Sequence, residues 1–552
     1  MKRLWYGLAA FILVIFASLL WLRRGEFMDV LSAFGRPSEA PQPAVAWTTA
    51  PEMPSGDLAP GSNRLRHIIS RLIDPNAIPY EAILRFKTDA DFEDFLKNNG
   101  KLRLLGSIPS LRAARVGYEN IDDLNDIPEN ADTSPNFLVQ LPAPPDPQGP
   151  GIQDGAVPFG SSAMEWLGIQ DNETWGEGRQ IAVIDTGILE HPTFGEVSVS
   201  NTQDFVADGE NASAVDATII EVNGHGTAVA SVAAGQHDAA PGVAPAAEIL
   251  SYRVADANGN SDSFTLAEGI LAAAEAGADV INISLGSAGD SNVVEEAVKT
   301  AIASGSTIVA AAGNNGVPGL TYPAAYEGVI SVGAVDAAGQ HLDFSNTADD
   351  LSVSAPGYAV PAAWPDEQVI QFTGTSASAP FVSGSIAAIM SWDPSITGQQ
   401  AYDLLLAHSN EAGAPGIDPI YGEGILNVGR VVDAGTSGIY DVAVASHFYA
   451  GDIQGNGREI LQVVAENRGT EIIYGSTLKV DSPVGEQTFT LGAMKPGEVV
   501  SREVIVDVRH AELQGSADYA TSLTLPGSQT DNNPADNNLS SSFLPPVAAE
   551  GE

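Results

Sequence analysis

The stretch QIAVIDTGI, residues 180–188, decides how the middle of this 552-residue chain folds. Its apolar run, Ile181 to Ile184, suits a strand buried on both faces, and such strands are typical of parallel sheets covered by helices. The run ends on the carboxylate of Asp185. Catalytic and ligand-binding groups of open α/β sheets gather at the carboxyl ends of strands, so Asp185 is a candidate site residue. Taken alone, an Asp in this position could equally cap the next turn.

The same alternation of apolar runs and Ala-rich segments continues to about residue 437 and predicts a parallel α/β domain over residues 148–437. Further predicted strands are EILSYRV (248–254), DVINISL (279–285), STIVAAAG (306–313) and VISVGAV (329–335). The predicted helices are HGTAVASVAAG (225–235), LAEGILAAAEAG (266–277) and NVVEEAVKTAIASG (292–305).

The N-terminus carries a predicted membrane signal anchor over residues 1–24. A basic MKR precedes an uncharged run of nineteen residues (22 − 4 + 1), Leu4–Leu22, which Arg23 and Arg24 close. The length suffices to span a bilayer, and no small-residue cleavage site follows the run. The sequence therefore favours an uncleaved anchor over a cleaved signal peptide. Either way the bulk of the chain is expected outside the cytoplasm, tethered to the membrane or secreted.

Two smaller domains are predicted to flank the α/β domain. After a Pro- and Ala-rich linker (25–62), residues 63–147 alternate strand and helix patterns typical of a small α+β unit whose last strand is NFLVQL (136–141). The Pro-rich run at residues 142–151 marks its end. From 438 to 544 helix patterns disappear and short strands with turn residues predict an all-β sandwich. The tail, 545–552, is expected to be disordered.

Composition excludes some functions. The net charge of −45 would repel a phosphate backbone, so a general nucleic-acid binder is excluded. The chain has no cysteine, which excludes disulfides, a thiolate nucleophile and Cys-zinc sites. TDNNPADNN, residues 530–538, could offer oxygen ligands to Ca²⁺, but an Asx-rich turn is the favoured interpretation.

Three more polar residues stand at transitions between elements of the α/β domain. His225 precedes an Ala-rich helix, Asn314 follows a predicted strand in a Gly-flanked turn, and GTSASAP (374–380) holds Ser376 and Ser378. A serine hydroxyl becomes a nucleophile when an imidazole accepts its proton, and the imidazole needs an acid to fix its tautomer. A tetrahedral oxyanion needs preorganised donors, such as an Asn amide and a backbone N–H. Together these residues predict acyl-transfer chemistry.

At this point residues 160–437 resemble the subtilisin family of serine endopeptidases. AVIDTGI, NGHGTAVA, AAAGNNG and GTSASAP match the family's Asp, His, oxyanion-Asn and Ser motifs in the family's order. The resemblance implies Asp185, His225 and Ser376 as the catalytic triad, with Ser378 a packing residue. It implies Asn314 as an oxyanion donor. Protein and peptide substrates are expected to pair with a cleft strand at Ser284, Leu285 and Gly286, and the chemistry requires no cofactor.

The resemblance also extends to the flanking domains. Residues 63–147 lie where the family places an inhibitory pro-domain. Residues 63–117 hold ten basic and six acidic residues, a net charge of +4 (10 − 6), against four basic residues in the whole of 160–437. Opposite charges are therefore expected to help hold this domain on the enzyme, although an apolar interface with solvated charges is the alternative. The last domain resembles the adhesion-type, immunoglobulin-like modules of bacterial extracellular enzymes.

Two other functions are compatible with the sequence. A non-catalytic adhesin or scaffold could use a protease fold only to bind. A peptide ligase or esterase could use the same acyl-enzyme with another acceptor.

Overall fold

The computed structural model describes residues 62–142, 152–153, 155–170, 172–195, 199–206, 224–450, 459–527 and 529–544. The predicted anchor (1–24), all but the last residue of the predicted linker (25–62) and the predicted disordered tail (545–552) lie outside these ranges. Within them, no helix has the length and apolar character needed to cross a bilayer.

The first domain is a four-stranded antiparallel sheet with two α-helices. Its strands follow the order β2-β3-β1-β4. Helix α2 begins after Thr88, whose hydroxyl accepts the Asp91 N–H at 3.1 Å, and it buries Phe92 and Phe95 under the sheet. The elements are α1 (Ser62–Leu72), β1 (Glu81–Phe86), α2 (Asp89–Lys97), β2 (Arg103–Ile108), β3 (Ala113–Gly117), a 3₁₀ helix (Ile121–Asp126) and β4 (Ala131–Ser134).

The central domain follows the first domain along the chain. Its strands are β5 (Leu138–Gln140), β6 (Gln180–Asp185), β7 (Val199–Asp204), β8 (Gln236–His237), β9 (Ala240–Pro241), β10 (Glu248–Arg253), β11 (Asn260–Asp262), β12 (Val280–Ile283), β13 (Thr307–Ala311), β14 (Val329–Val335), β15 (Val353–Pro356), β16 (Val360–Trp364) and β17 (Gln368–Phe372). Its helices are α3 (Ala163–Trp166), α4 (His225–Ala234), α5 (Ser263–Glu275), α6 (Asn292–Ala303), α7 (Thr375–Trp392), α8 (Gly398–Ala407) and α9 (Val428–Asp433), with short 3₁₀ helices at Gly160–Ser162 and Pro192–Phe194.

Seven of these strands form one parallel sheet in the order β15-β14-β13-β12-β6-β10-β7. All but the edge strand β7 are buried on both faces, which explains their continuous apolar runs. Along β6, Ile181 and Val183 enter the core that contains α4 and α7, while Ala182 and Ile184 enter the core that contains α5 and α6. The predicted parallel α/β architecture is confirmed.

The predicted last strand of the first domain, NFLVQL, does not join that domain's sheet. Its residues Leu138–Gln140 form β5, which pairs antiparallel with β11 of the central domain. Gln140 and Gly286 also exchange two backbone hydrogen bonds of 2.9 Å each. The chain leaving the first domain therefore lies as an added strand between two segments of the central domain.

The first domain contacts the central domain through apolar and charged side chains. Four of its apolar residues share a buried core with α5 and α6: Ile83, Ile108, Leu111 and Ala113. Two ion pairs cross the same interface, Arg85 to Glu296 at 3.4 Å and Arg115 to Asp262 at 2.8 Å. Apolar packing and two ion pairs therefore hold this interface together.

The last domain is a sandwich of two antiparallel sheets around one core, as predicted. The strands are β18 (Val442–Tyr449), β19 (Ile460–Asn467), β20 (Ile473–Tyr474), β21 (Thr477–Ser482), β22 (Gly485–Thr490), β23 (Ala493–Met494), β24 (Val499–Ile505), β25 (Ala517–Thr524) and β26 (Asn538–Phe543). The two main sheets have the orders β18-β19-β24 and β22-β21-β25-β26, and β20 pairs with β23.

The expectation that helices disappear after Gly438 is wrong. Helix α10 (Val508–Gln514) lies between β24 and β25. Asp507 caps it by accepting the His510 N–H at 3.0 Å, and Gly515 ends it in the left-handed conformation. These end signals were hidden because the run VSREVIVDV, residues 500–508, includes Asp507 and yet has the composition of a single strand.

The loop TDNNPADNN ties the sandwich to the start of β18. Asp531 accepts the N–H of Asn533 at 2.9 Å and that of Val442 at 3.2 Å, and Asn532 accepts the Tyr440 N–H at 3.2 Å. These are Asx-type contacts to the backbone. No group of three or more His, Asp or Glu side chains in the described ranges is arranged to hold a metal ion.

A buried ion cluster joins the sandwich to the central domain. Glu466 of β19, 2% exposed, pairs with Arg430 of α9 and with Arg468, whose Nε lies 3.0 Å away. Burial alone would raise the pKa of Glu466, but the charges of Arg468 and Arg430 outweigh it and hold this pKa below its usual value. Arg430 also donates to the Ser409 carbonyl at 2.6 Å. One sandwich carboxylate therefore neutralises a buried arginine of the central domain.

Removing this carboxylate is expected to destabilise the protein strongly. Glu466→Ala leaves two buried guanidinium groups without their shared partner, and we expect a loss of about 3–5 kcal/mol in the free energy of unfolding. The matched control is Glu486→Ala, since Glu486 pairs with Lys479 at 3.3 Å in a half-exposed pair. That change should cost less than about 1 kcal/mol. Denaturant titration measures both, and equal losses would contradict the buried cluster's importance.

Candidate active site

Asp185 ends β6 with a fully buried carboxylate. Its Oδ1 accepts the Thr186 N–H at 2.7 Å and the Thr186 hydroxyl at 3.2 Å. Thr186 Oγ1 in turn accepts the Gly226 N–H at 3.1 Å. A buried carboxylate needs such donors because burial penalises an unmatched charge.

His225, the first residue of α4, supplies the remaining donor. Its Nδ1 lies 2.8 Å from Asp185 Oδ1 and 3.0 Å from Oδ2. Because an ionised carboxylate only accepts, Nδ1 carries the proton and Nε2 is the basic nitrogen. Gly226 permits this approach, since a Cβ there would stand 2.4 Å from the Gly187 carbonyl oxygen. The ring packs edge-on against Phe372 with centroids 5.3 Å apart.

Ser376 is the second residue of α7, a helix buried over most of its length. Pro380 has no N–H to donate to the Ser376 carbonyl, one helical turn earlier. The Ser284 hydroxyl donates to that carbonyl instead, at 3.4 Å, while the Ser376 hydroxyl donates to the Ser284 carbonyl at 3.5 Å. In the described part of the chain the Ser376 hydroxyl thus bonds to Ser284 and makes no hydrogen bond to His225. Ser378 donates to the Ala355 and Pro356 carbonyls at 3.2 Å, as expected of a packing residue.

Asn314 lies beside the same helix end. Its Oδ1 accepts the Thr375 N–H at 2.9 Å and the Thr375 hydroxyl at 2.8 Å. A backbone N–H requires an acceptor, so this contact settles which end of the amide is oxygen. The Asn314 Nδ2 consequently faces Gly374, where a Cβ would lie only 2.8 Å from it. Gly374, at φ +136°, has no side chain to push the amide away.

The sheet register brings the strand-end residues to one edge. Ile184 of β6 pairs in parallel with Ile283 of β12, so Asp185 and Ser284 follow side by side. Beyond Ser284, Leu285 is fully buried and Gly286 pairs with Gln140 through its backbone. The two hydrogen-bonded pairs, Asp185 with His225 and Ser376 with Ser284, therefore lie at the ends of the neighbouring strands β6 and β12.

Three residues that sequence reasoning did not single out support this arrangement. Thr186 links Asp185 to the start of α4, Thr375 orients Asn314, and Phe372 packs on the imidazole. Thr186 and Thr375 each directly adjoin a predicted site residue, which is the one signal available. Phe372 gives no signal, because it is an apolar residue at the end of a strand.

The chain matches known proteins over this region. The model of the subtilase family matches residues 176–424. A thermostable alkaline protease from Halalkalibacterium halodurans is 34% identical over 276 residues, covering 50% of this chain and 73% of the relative. Subtilisin Savinase from Lederbergia lenta is 33% identical over 274 residues, covering 49% of this chain and 97% of the relative.

A more remote relative and a solved structure are similar as well. The minor extracellular protease Epr of Bacillus subtilis is 32% identical over 267 residues, covering 47% of this chain and 40% of the relative. The crystal structure of the epidermin leader peptide processing serine protease from Staphylococcus aureus superposes with a TM-score of 0.54 at 20% identity, covering 65% of this chain and 99% of that one. This last likeness concerns the fold alone.

The sheet and these matches define the fold as subtilisin-like. The chain belongs to the subtilase family. Its relatives of about 33% identity make it a peptidase hydrolase of the serine type.

Proposed function

We propose that this protein is a serine endopeptidase that uses Asp185, His225 and Ser376 as its catalytic triad. The observation that carries the proposal is the hydrogen bond from His225 Nδ1 to buried Asp185, because it leaves Nε2 basic. Ser376 Oγ attacks the scissile carbonyl carbon while Nε2 takes its proton. His225 then protonates the leaving amine, and the acyl group on Ser376 is transferred to water with His225 again acting as base.

The Asn314 amide and the Ser376 N–H are proposed to bind the oxyanion. Thr375 holds Asn314 Oδ1, which directs Nδ2 toward the segment of Ser376. Donors fixed before the reaction stabilise the developing charge without a cost of reorganisation. Ser376 also lies at the N-terminus of α7, whose dipole favours negative charge there.

Residues Ser284, Leu285 and Gly286 are proposed to bind the substrate by strand addition. The support comes from β5, which already lies between β11 and Gly286 as an extended chain. A peptide in the same place would gain main-chain hydrogen bonds from both sides.

The first domain, residues 63–147, is proposed to be an inhibitory pro-domain removed by self-cleavage. Its β5 fills the proposed substrate cleft. In the antiparallel register that pairs Gln140 with Gly286, Pro142 stands opposite Ser284, whose carbonyl accepts the Ser376 hydroxyl. We therefore propose that the bond following Pro142 is the one that is cut.

The remaining proposals concern placement and the last domain. We place the mature enzyme outside the cytoplasm, and relatives such as the minor extracellular protease favour a secreted form over an anchored one. The two-sheet architecture of residues 438–544 supports an immunoglobulin-like module. The site needs no cofactor for this chemistry.

Ser376 is tested by covalent labelling with a fluorophosphonate, which reacts with an activated serine. We expect labelling of the wild-type protein, none in Ser376→Ala, and normal labelling in the matched control Ser378→Ala two residues away. Peptide turnover of Ser376→Ala should fall by about 10⁶.

Three outcomes would redirect the proposal. Persistent labelling of Ser376→Ala would overturn the assignment of the nucleophile. An unlabelled wild-type protein would favour the non-catalytic adhesin or scaffold. Masses of condensed peptides or transferred acyl groups, in place of hydrolysed products, would favour the ligase or esterase.

The oxyanion site is tested by comparing two substitutions in steady-state kinetics on a peptide substrate. Asn314→Leu should lower kcat by about 10²–10³ with little change in KM, because the lost donor acts in the transition state. Thr375→Val should lower kcat less, since the Thr375 N–H still holds Asn314 Oδ1, and Thr375→Ser should restore it. A rise in KM alone for Asn314→Leu would contradict an oxyanion role.

The pro-domain is tested by N-terminal sequencing of the protein produced from the full chain. We expect a mature form beginning at Ala143 in the wild-type protein and in Ser378→Ala, and an uncleaved chain in Ser376→Ala. A mature form beginning well before residue 142, or processing that persists in Ser376→Ala, would count against self-cleavage of a pro-domain.

A further inference from the structure

A guanidinium group of the first domain occupies an acidic site on the rim of the substrate cleft. Arg115 of β3 donates from Nε and NH2 to the two carboxylate oxygens of Glu81, at 2.8 and 3.1 Å. Its NH1 donates to Asp262 Oδ2 of the central domain at 2.8 Å. The side chains of Arg115 and Asp262 are only 22% and 11% exposed, so this is a sheltered contact. Charge-assisted hydrogen bonds of this kind are among the strong ones.

Asp262 is held in place beside β5 by the hydrogen bonds that it accepts. Its Oδ1 caps α5 by accepting the N–H groups of Phe264 and Thr265, both at 3.0 Å, and Oδ2 also accepts the Thr265 hydroxyl at 2.9 Å. Asp262 belongs to β11, where it stands opposite Leu138 of β5. The helix cap thus fixes the carboxylate beside the strand that fills the cleft.

Glu268 lies further along α5 and supplies a second carboxyl group. Burial raises the pKa of Glu268 to about 7; repulsion from Asp262 adds to the rise, and Arg115 opposes it. Glu268 has no ion-pair partner among the described residues. Arg115 donates hydrogen bonds to Glu81 and Asp262, so the carboxylate of Glu268 is additional to those that Arg115 binds directly.

Departure of the first domain would remove Arg115 and Glu81 together and leave the carboxylates of Asp262 and Glu268 without this cation. Two carboxylates near each other favour a cation, because like charges repel. The central domain offers little competition, since residues 160–437 contain only four basic side chains.

We propose that Asp262 and Glu268 form a subsite for a basic side chain of the substrate, and that Arg115 occupies this subsite in the uncleaved chain. The inference rests on the proposed endopeptidase function and on the register of β5. Counting back from Pro142, Leu138 is the fifth residue before the scissile bond (142 − 138 + 1), and it is the residue opposite Asp262. The subsite therefore selects an Arg or Lys about five residues before the bond that is cut.

The test uses the mature enzyme that forms from the full chain and two fluorogenic peptides. The peptides are identical except for Arg or Gln at the fifth residue before the scissile bond. At low salt we expect kcat/KM to be about tenfold higher for the Arg peptide, mainly through KM, because the contact is made equally in the bound and transition states. At 1 M salt the preference should shrink, since exposed charges are screened.

Substitutions then show which residues cause the preference for the Arg peptide. Glu268→Gln should reduce the preference, measured as the ratio of kcat/KM for the two peptides, at least threefold, and Glu268→Lys should abolish it. Glu275→Gln is the matched control, because it makes the same charge change at the exposed end of α5 and should keep the full preference. Asp262→Asn, which retains the Oδ1 that caps the helix, provides an independent second variant.

Fluorophosphonate labelling of each sample counts the competent active sites and separates the possible failures. Normal labelling with equal kcat/KM for the two wild-type peptides overturns the subsite and leaves the endopeptidase function standing. A preference that Glu268→Gln and Asp262→Asn do not change overturns it as well. Absence of labelling and of cleavage in the wild-type enzyme overturns the proposed function, and the subsite with it.

Discussion

The buried carboxylate of Asp185 is the constraint on which the site depends. Removed from water, it requires donors, and Thr186 and His225 provide them. Meeting this requirement fixes the end of β6 against the start of α4 and leaves no room for a side chain at Gly226. The parallel register of β6 and β12 then sets Ser284, and with it the Ser376 segment, beside the same edge. The need to pair the charge of Asp185 and the register of the sheet therefore both determine where these residues lie.

The central sheet could be predicted from sequence because burial on both faces leaves a continuous apolar run. QIAVID at residues 180–185 has the same bounds as β6, and VISVGAV at 329–335 the same bounds as β14. The edge elements could not be predicted. Strand β4, with the sequence ADTS, has little apolar content and forms through its pairing with β1, which is a tertiary interaction. Strand β5 was predicted as a strand, but its partner belongs to another domain.

The candidate site shows a similar division. Polar residues at transitions between helices, strands and loops were visible as Asp185, His225, Asn314 and Ser376, whereas their supporting hydroxyl groups were not. Thr375 orients an amide 61 positions away in the chain, and no local pattern records such a contact. The sandwich is likewise more than an attached module, because its Glu466 neutralises Arg430 inside the central domain.

The first domain contacts the central domain through main-chain atoms and through side chains, and these two kinds of contact constrain the sequence differently. The ladder between β5, β11 and Gly286 uses main-chain atoms, so its hydrogen bonds do not depend on which side chains occupy residues 138–140. The contact of Arg115 with Asp262 depends on side-chain identity at both ends. A substitution at either residue leaves the other, sheltered charge without this partner. The two positions are therefore expected to change together in evolution.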